Sequence, residues 1–155
     1  MSEVDDRLKA LGLELPAPRP PAGAYTPVVI DGDIAYTSGV IAIENNEPAS
    51  VGQLGAGLTV EDGKQSARGA CLRSLGALAV AIGGLDRVER VLKVTGYVRA
   101  VPEFIDLPPV LDGASELLIE VFGEAGRSAR TTVGVAALPR GASVELDMVV
   151  RLRTS

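Results

Sequence analysis

The segment from Leu58 to Gly84 carries the clearest periodic pattern in the chain and constrains what its neighbours can form. Thr59, with Asp62 three positions later, is a variant of the capping box that starts a helix, and Gly83 with Gly84 ends it. Small and apolar side chains recur between them at steps of three and four residues: Ala67, Ala70, Cys71, Ser74, Leu75, Leu78 and Ile82. Because this face is built largely of small residues, we expect the helix to pack closely on a β-sheet.

The segments on either side of this helix have the composition of strands. Residues 26–30 and 34–39 are β-branched and apolar, and Asp31-Gly32 between them predicts a tight hairpin. Residues 41–57 hold many turn-forming residues and are predicted to be mostly loop, with room for one short strand. After Leu85, a short helical turn should lead into a strand that ends near Arg99, with a bulge at Gly96.

Three further elements complete the predicted order. Pro102, Pro108 and Pro109 break the segment 101–110. The three elements that follow are a second amphipathic helix over 113–123, a strand over 130–138 and a last strand over 143–152, with a turn at 138–142.

The order β-β-α-β-α-β-β predicts an α+β fold, in which one mixed sheet carries two helices on one face. The chain has 155 residues, which is the size of one domain, so residues 1–155 are expected to form a single domain. A short helix over 3–11 and a proline-rich linker over 15–21 precede the sheet. The uncovered sheet face needs a partner, which favours a three-fold or two-fold oligomer.

Composition excludes several classes of function. The chain has no histidine and one cysteine, so it can build neither a His-based catalytic triad nor an imidazole or all-Cys metal site, and we expect no metal or cofactor. The net charge of −5 and five aromatic residues count against a nucleic-acid partner. No apolar run is long enough to span a membrane, and the acidic N-terminus lacks a signal-peptide core, so we expect a cytoplasmic protein.

Several motifs together resemble the RidA/YjgF family, which includes imine and enamine deaminases and YjgF-type endoribonuclease-like proteins. They are Thr-Ser-Gly at 37–39, Gly-Tyr-Val at 96–98 and the pattern ART–VGV–LP–GA–VE over 129–145. The resemblance covers residues 23–152 as a core, with residues 1–22 as an extension. It implies a chorismate-mutase-like fold, a homotrimer with clefts between subunits, and hydrolysis of reactive 2-imino acids to 2-oxo acids and ammonia.

Arg130 is the first candidate site residue. Its guanidinium matches a planar carboxylate with two parallel N–H bonds and stays charged at any working pH. The resemblance implies that Arg130 binds the carboxylate of a small 2-imino or 2-oxo acid. The alternative is a solvated or ion-paired arginine at the start of a strand.

Glu145 and Thr132 are the candidate catalytic residues. Val144, Leu146 and Met148 are predicted to share one face of the last strand, which leaves Glu145 on the other. The resemblance implies that Glu145 orders the attacking water, and the alternative is an outward-facing glutamate. Thr132 aligns with a position often occupied by cysteine, where a hydroxyl can bond a water but supplies no thiolate.

The resemblance also implies roles in substrate binding for Tyr25, Ser38 and Gly39. Tyr25 would line the cleft with an aromatic ring, and Ser38 and Gly39 would offer a hydroxyl and an approachable backbone. The alternatives are a packing residue for Tyr25 and an ordinary turn for the Ser-Gly pair.

Two residues besides Thr132 depart from the family pattern. Asp112 falls near a family asparagine and would add negative charge beside a carboxylate site. Ser128 stands where related chains often have histidine. Cys71, on the small-residue face of the helix, is expected to be inert core and no substitute for the family cysteine at position 132.

The sequence therefore leaves four functions open. They are an imine hydrolase, a non-catalytic trimer that binds small carboxylates, a ribonuclease or translation inhibitor, which the acidic charge disfavours, and a chorismate mutase, which only fold analogy suggests.

Overall fold

The computed structural model of the protein describes residues 2–154 and forms three helices and one main mixed sheet with two small accessory sheets. The helices are α1 (Glu3–Ala10), α2 (Val60–Ile82) and α3 (Pro108–Phe122), with 3₁₀ turns at Leu85–Arg87, Gly123–Gly126 and Pro139–Gly141. The strands are β1 (Val28–Asp31), β2 (Ile34–Thr37), β3 (Val40–Ile41), β4 (Ile43–Glu44), β5 (Glu47–Pro48), β6 (Gln53–Leu54), β7 (Gly57–Leu58), β8 (Val88–Arg99), β9 (Ala129–Val135) and β10 (Val144–Leu152).

The main sheet confirms the predicted α+β class. Its strand order is β1-β2-β10-β8-β9, and β3 also pairs with β10 beyond the end of β2. Within this main sheet, β8 and β9 are the one parallel pair, because α3 connects them as a crossover, while its other strand pairs are antiparallel. Long strands β8 and β10 therefore form the centre of the sheet.

The two long helices lie on one face of this sheet, as predicted. The side chains that alternate inward from β8 and β10 are fully buried against them: Val91, Val94, Val98, Val144, Leu146, Met148 and Val150. Thr59 caps α2 with the expected reciprocal bonds to Asp62, and Gly83 ends it in a left-handed conformation at φ 83°. The small residues of α2 allow α3 to lie close beside it.

The N-terminal extension packs on the helical layer. Ser2 and Asp5 form a capping box that starts α1, and Leu8 is buried in the core. Arg7 donates a hydrogen bond to the carbonyl of Val121 at 3.2 Å, which ties α1 to the end of α3. In the described residues, no helix is long and apolar enough to cross a membrane.

Two local predictions were wrong. The second helix begins at Pro108, five residues before the predicted start, because proline is favoured in the first helical turn, where no N–H partner is needed. No register shift occurs at Gly96, which pairs regularly with Leu146; the shifts occur further along β10, between Val149 and Val150 and between Arg151 and Leu152. A Cβ at Gly96 would collide with the buried Leu111 side chain of α3, so close packing explains this glycine.

The segment 41–57 is more ordered than predicted. The structure forms short strands β3 to β7 within and just beyond it, including a hairpin in which Asn45 and Asn46 both adopt positive φ. Two consecutive left-handed residues are the signature of a type I′ turn, and asparagine tolerates this conformation better than most residues. These strands are only two residues long, which is too short for hydrophobic periodicity to reveal.

Gly113 provides a test of the packing between α2 and α3. A Cβ at Gly113 would collide with the backbone carbonyl of Lys64 in α2, which cannot rotate away as a side chain can. We expect Gly113→Ala to lower the free energy of unfolding by about 1–3 kcal/mol in chemical denaturation, although alanine favours helix formation. Gly69→Ala is the matched control, since its Cβ would meet Ala42 at 3.0 Å from the methyl and 4.0 Å from Cα, without the backbone overlap found at Gly113. Equal stability of the two variants would contradict the close helix approach.

Candidate functional site

The helix-free face of the sheet carries both apolar and acidic side chains. Large apolar residues remain exposed on it, with Val29 at 51%, Tyr36 at 47% and Val133 at 39% of their surface. Glu145 and Asp147 alternate outward from β10 onto the same face. No element of the described chain packs over this face as α2 and α3 pack over the other, so within one chain it stays uncovered.

Glu145 and Gly39 are brought together by an irregularity between β2 and β3. Tyr36 pairs with Val149, but Val40 pairs with Leu146, so the chain contains one extra residue at Ser38-Gly39 opposite β10. A Cβ at Gly39 would lie 2.5 Å from Glu145 Oε1 and 3.1 Å from its carboxyl carbon. Glycine at 39 is therefore what leaves room for the Glu145 carboxylate, and it links the Thr-Ser-Gly and Val-Glu motifs.

Ser38 is part of this irregularity, and its hydroxyl bonds the residue that follows Tyr25. Ser38 donates its hydroxyl to the Thr26 carbonyl at 2.6 Å, and its N–H to the Pro27 carbonyl at 2.8 Å. Tyr25, next to Thr26 in the chain, is half-exposed, and its hydroxyl accepts the N–H of Ala22 at 3.3 Å. Tyr25, Ser38, Gly39 and Glu145 are called the carboxylate half-site below.

Burial raises the pKa of Glu145, and like-charge repulsion from Asp147 adds to the rise. Asp147 accepts a hydrogen bond from the Tyr97 hydroxyl at 2.9 Å. The pKa of Tyr97 is also raised, first by burial and then by that bond and the two carboxylates. Glu145 is therefore a stronger base than an exposed glutamate, and the nearby phenol stays protonated to higher pH.

The raised pKa of Glu145 predicts a pH dependence of stability. The folded state binds this proton more tightly than the unfolded state, so stability falls as the pH rises from the ordinary glutamate pKa through the raised one. We expect Glu145→Gln to increase the free energy of unfolding relative to wild type at pH 7 and to change it less at pH 4. Chemical denaturation at the two pH values measures this difference.

Glu124 is the matched control for this measurement. A hydrogen bond from Arg127 lowers the pKa of Glu124, so its charged form stabilises the fold at neutral pH. Glu124→Gln should therefore change stability in the opposite direction to Glu145→Gln. A Glu145→Gln variant that is less stable than wild type at pH 7 would contradict the claim that burial and repulsion from Asp147 destabilise the charged form of Glu145.

Arg130 lies on β9 and faces the helical layer. Its Nη1 donates to Asp112 Oδ1 at 2.7 Å and to Ser115 Oγ at 3.1 Å, and its Nη2 donates to the Pro108 carbonyl at 2.9 Å. Asp112 therefore lies beside the arginine, where the family resemblance would place it. Thr132, two residues along β9, is partly buried and shares the face of Arg130. Arg130, Thr132, Asp112 and Ser115 are called the arginine half-site below.

One chain does not bring the two half-sites together. Arg130 pairs with the inward-facing Val94, whereas Glu145 pairs with the outward-facing Tyr97, so the two charged groups lie on opposite faces of the sheet. Strand β8 also separates their strands. A cavity of about 580 Å³ lies elsewhere, between α2 and the segment 42–58, and neither Arg130 nor Glu145 lines it.

The remaining residues named from the sequence lie outside both half-sites. Cys71 is fully buried, and burial raises its pKa to about 12, so the thiol is inert core as predicted. Ser128 is partly buried just before β9. Sequence reasoning missed Tyr97 and Ser115. Strand pairing alone places Tyr97 opposite Glu145, but the three-residue spacing of Ser115 from Asp112 on a helix was a usable signal.

Comparison with known proteins identifies the family. The family model described as "YjgF/chorismate_mutase-like, putative endoribonuclease" matches residues 5–149. The chain is 43% identical to Protein TCP17 of Trypanosoma cruzi, with 96% of this chain and 94% of that protein covered. It is 30% identical to a 2-iminobutanoate/2-iminopropanoate deaminase of Dermatophagoides farinae, with 84% of this chain and 87% of that protein covered.

A solved structure supports the same assignment. The chain is similar to a protein of Shewanella oneidensis MR-1 that carries the same endoribonuclease description, with a TM-score of 0.93 and 34% identity. The alignment covers 97% of this chain and all of that one (100%). By fold and by sequence, the chain belongs to the YjgF/RidA family.

Proposed function

We propose that the protein is a homotrimer that hydrolyses reactive 2-imino acids to 2-oxo acids and ammonia in clefts between its subunits. The observation that carries the proposal is the separation of the two half-sites within one chain. Glu145 and Arg130 lie on opposite sheet faces, so a site that uses both must combine the carboxylate half-site of one protomer with the arginine half-site of its neighbour. The exposed apolar residues of the helix-free face support assembly through that face.

The chemistry that we assign to these residues requires positioning and one proton acceptor. Arg130 binds the substrate carboxylate, and Tyr25, Ser38 and Gly39 line the cleft. Glu145 accepts a proton from water as the water oxygen bonds to the imine carbon and the imine nitrogen gains a proton from solvent, which gives a carbinolamine. Glu145 then returns its proton to the carbinolamine nitrogen and the C–N bond breaks to release ammonia. The hydroxyl oxygen gives up its proton to solvent and forms the carbonyl of the 2-oxo acid. Thr132 offers a hydroxyl to hold water or ligand.

The activity is tested with imines made in the assay, because they decay spontaneously. An amino-acid oxidase or a dehydratase generates 2-iminopropanoate or 2-iminobutanoate, and the release of 2-oxo acid is followed with and without the protein. We expect faster release with wild-type protein and a molar mass of three chains by light scattering. A monomer at micromolar concentration would contradict the trimer and the shared cleft.

A second function, a non-catalytic trimer that binds small carboxylates, is favoured by one feature of the arginine half-site. Arg130 is already paired with Asp112, and position 132 offers a hydroxyl where a thiol is frequent in the family that the chain resembles. The same assay separates the two functions. Binding of a 2-oxo acid without any acceleration of imine decay, across several imino acids, would favour the binding function.

The endoribonuclease description that the family carries is a weaker candidate for this chain. Its net charge is −5, and several of its arginines already pair with carboxylates: Arg7, Arg68, Arg127, Arg130, Arg140 and Arg151. Binding to a phosphate backbone requires free positive charge. Incubation with single-stranded RNA should leave the RNA intact, as judged by gel electrophoresis.

A further inference from the structure

The arginine half-site presents a positive and a negative group side by side. Asp112 Oδ1 lies 2.7 Å from Arg130 Nη1, and 22% of the Arg130 side chain and 46% of the Asp112 side chain are exposed. A partly exposed ion pair of this kind has almost no net charge, but it presents a positive and a negative end to a ligand. A ligand with a carboxylate alone would be attracted by Arg130 and repelled by Asp112.

Both partners keep unused hydrogen-bonding capacity. A guanidinium has five N–H groups, and three of those in Arg130 are used by Asp112, Ser115 and the Pro108 carbonyl. Within residues 2–154, the other two have no hydrogen-bond partner. Asp112 accepts one hydrogen bond in the same part of the chain, although a carboxylate can accept about four. Arg130 can therefore still bind a carboxylate while Asp112 accepts a hydrogen bond from a second group.

We propose that Arg130 and Asp112 together recognise a zwitterion, in which a carboxylate and a protonated nitrogen are attached to the same carbon. The carboxylate binds Arg130, and the nitrogen donates to Asp112. This inference rests on the proposed function, because it assigns the substrate class of the same cleft: the iminium form of a 2-imino acid, with the corresponding amino acid as a stable mimic. Asp112 is then a specificity-determining residue.

The pairing has a consequence for the reaction. The carbon of a protonated imine is more electrophilic than the carbon of a neutral imine. The Asp112 carboxylate stabilises the protonated form and therefore favours attack by water. The 2-oxo acid formed after ammonia leaves has no positive charge to offer Asp112, so its carboxylate is repelled by Asp112 with no compensating contact from the ligand. The same residue that selects the substrate therefore weakens the binding of the product.

The test compares 2-aminobutyrate with 2-oxobutyrate, which share a carbon chain and a carboxylate and differ in the group on the second carbon. Isothermal titration calorimetry measures both affinities for wild type and for Asp112→Asn. We expect wild type to bind the amino acid about tenfold or more tightly than the oxo acid, since an opposite charge at contact distance has effects of that size. Asp112→Asn should bind the amino acid more weakly and the oxo acid more tightly.

Ser115→Ala is the matched control. Ser115 also accepts a hydrogen bond from Arg130 Nη1, but it carries no charge. This variant should weaken both ligands in similar proportion and leave their ratio unchanged. If Asp112→Asn leaves the ratio of the two affinities unchanged, as Ser115→Ala should, Asp112 only positions Arg130. The zwitterion proposal then fails, while the proposed imine hydrolysis is not contradicted. If folded wild-type protein binds neither ligand and does not accelerate imine decay, the proposed function fails and the zwitterion proposal fails with it.

Discussion

We expect a mixture of two inactive variants to regain imine hydrolysis. Arg130→Ala removes the carboxylate ligand, and Glu145→Gln keeps the shape of the side chain but removes the proton acceptor. A positioned general base contributes about a hundredfold or more, so Glu145→Gln alone should lower the rate by that factor while ligand affinity remains. If each cleft takes Arg130 from one protomer and Glu145 from the next, some clefts in mixed trimers contain both native residues.

The size of the recovery follows from cyclic assembly. In a three-membered ring of head-to-tail contacts that contains both variants, one of the three clefts, about a third, pairs a native Arg130 with a native Glu145. Co-expression of the two chains with different tags, followed by two affinity steps, isolates the mixed trimers for the assay. A chain that carries both substitutions, purified in mixed trimers with Arg130→Ala chains, is the control and should stay inactive. If the mixture shows only the sum of its components, the two residues act within one chain and the shared cleft is wrong.

The second large effect concerns the carboxylate ligand. We expect Arg130→Ala to weaken the binding of 2-oxobutyrate about ten- to a hundredfold, because a charge-assisted hydrogen bond contributes about 1.5–3 kcal/mol. Arg130→Lys should recover only part of the affinity, since an ammonium cannot provide two parallel N–H bonds. Calorimetric titration measures both variants, and light scattering checks that each remains a trimer.

The control for this prediction uses an arginine outside the half-sites. Arg68 forms a surface ion pair with Glu120, at 2.8 Å, so Arg68→Ala removes a cation of the same type from elsewhere on the protein. Its effect on ligand affinity should be negligible. Wild-type affinity in the Arg130→Lys variant would exclude bidentate recognition, and equal losses in the Arg68 and Arg130 variants would point to a general charge effect.

Local signals in the sequence were sufficient to predict the helices and the long strands. The capping pair of Thr59 and Asp62, the double glycine after Ile82 and the alternation of Val144, Leu146 and Met148 all act between residues close in the chain. The errors arose where one residue type has two roles. Pro108 was predicted to break the segment 101–110 but starts a helix, and Gly96 was predicted to form a bulge but accommodates Leu111.

The candidate site could be predicted only as a list of residues. The family resemblance pointed to Arg130, Thr132, Glu145, Tyr25, Ser38 and Gly39, but their arrangement depends on strand register. Gly39 and Glu145 are far apart in the sequence, and only the pairing of β3 with β10 brings them into contact. The partnership of Tyr97 with Asp147 depends in the same way on the pairing of β8 with β10.

The sequence by itself determined the helices, the long strands, their order and the α+β class, because helix caps and hydrophobic periodicity act over a few residues and the burial of one face follows from them. Only the tertiary structure decided which face each polar residue occupies relative to distant ones. It placed Arg130 beside Asp112 on the helical face and Glu145 beside Gly39 on the other, because the parallel crossover through α3 and the register of β10 fix these contacts over long separations in the chain.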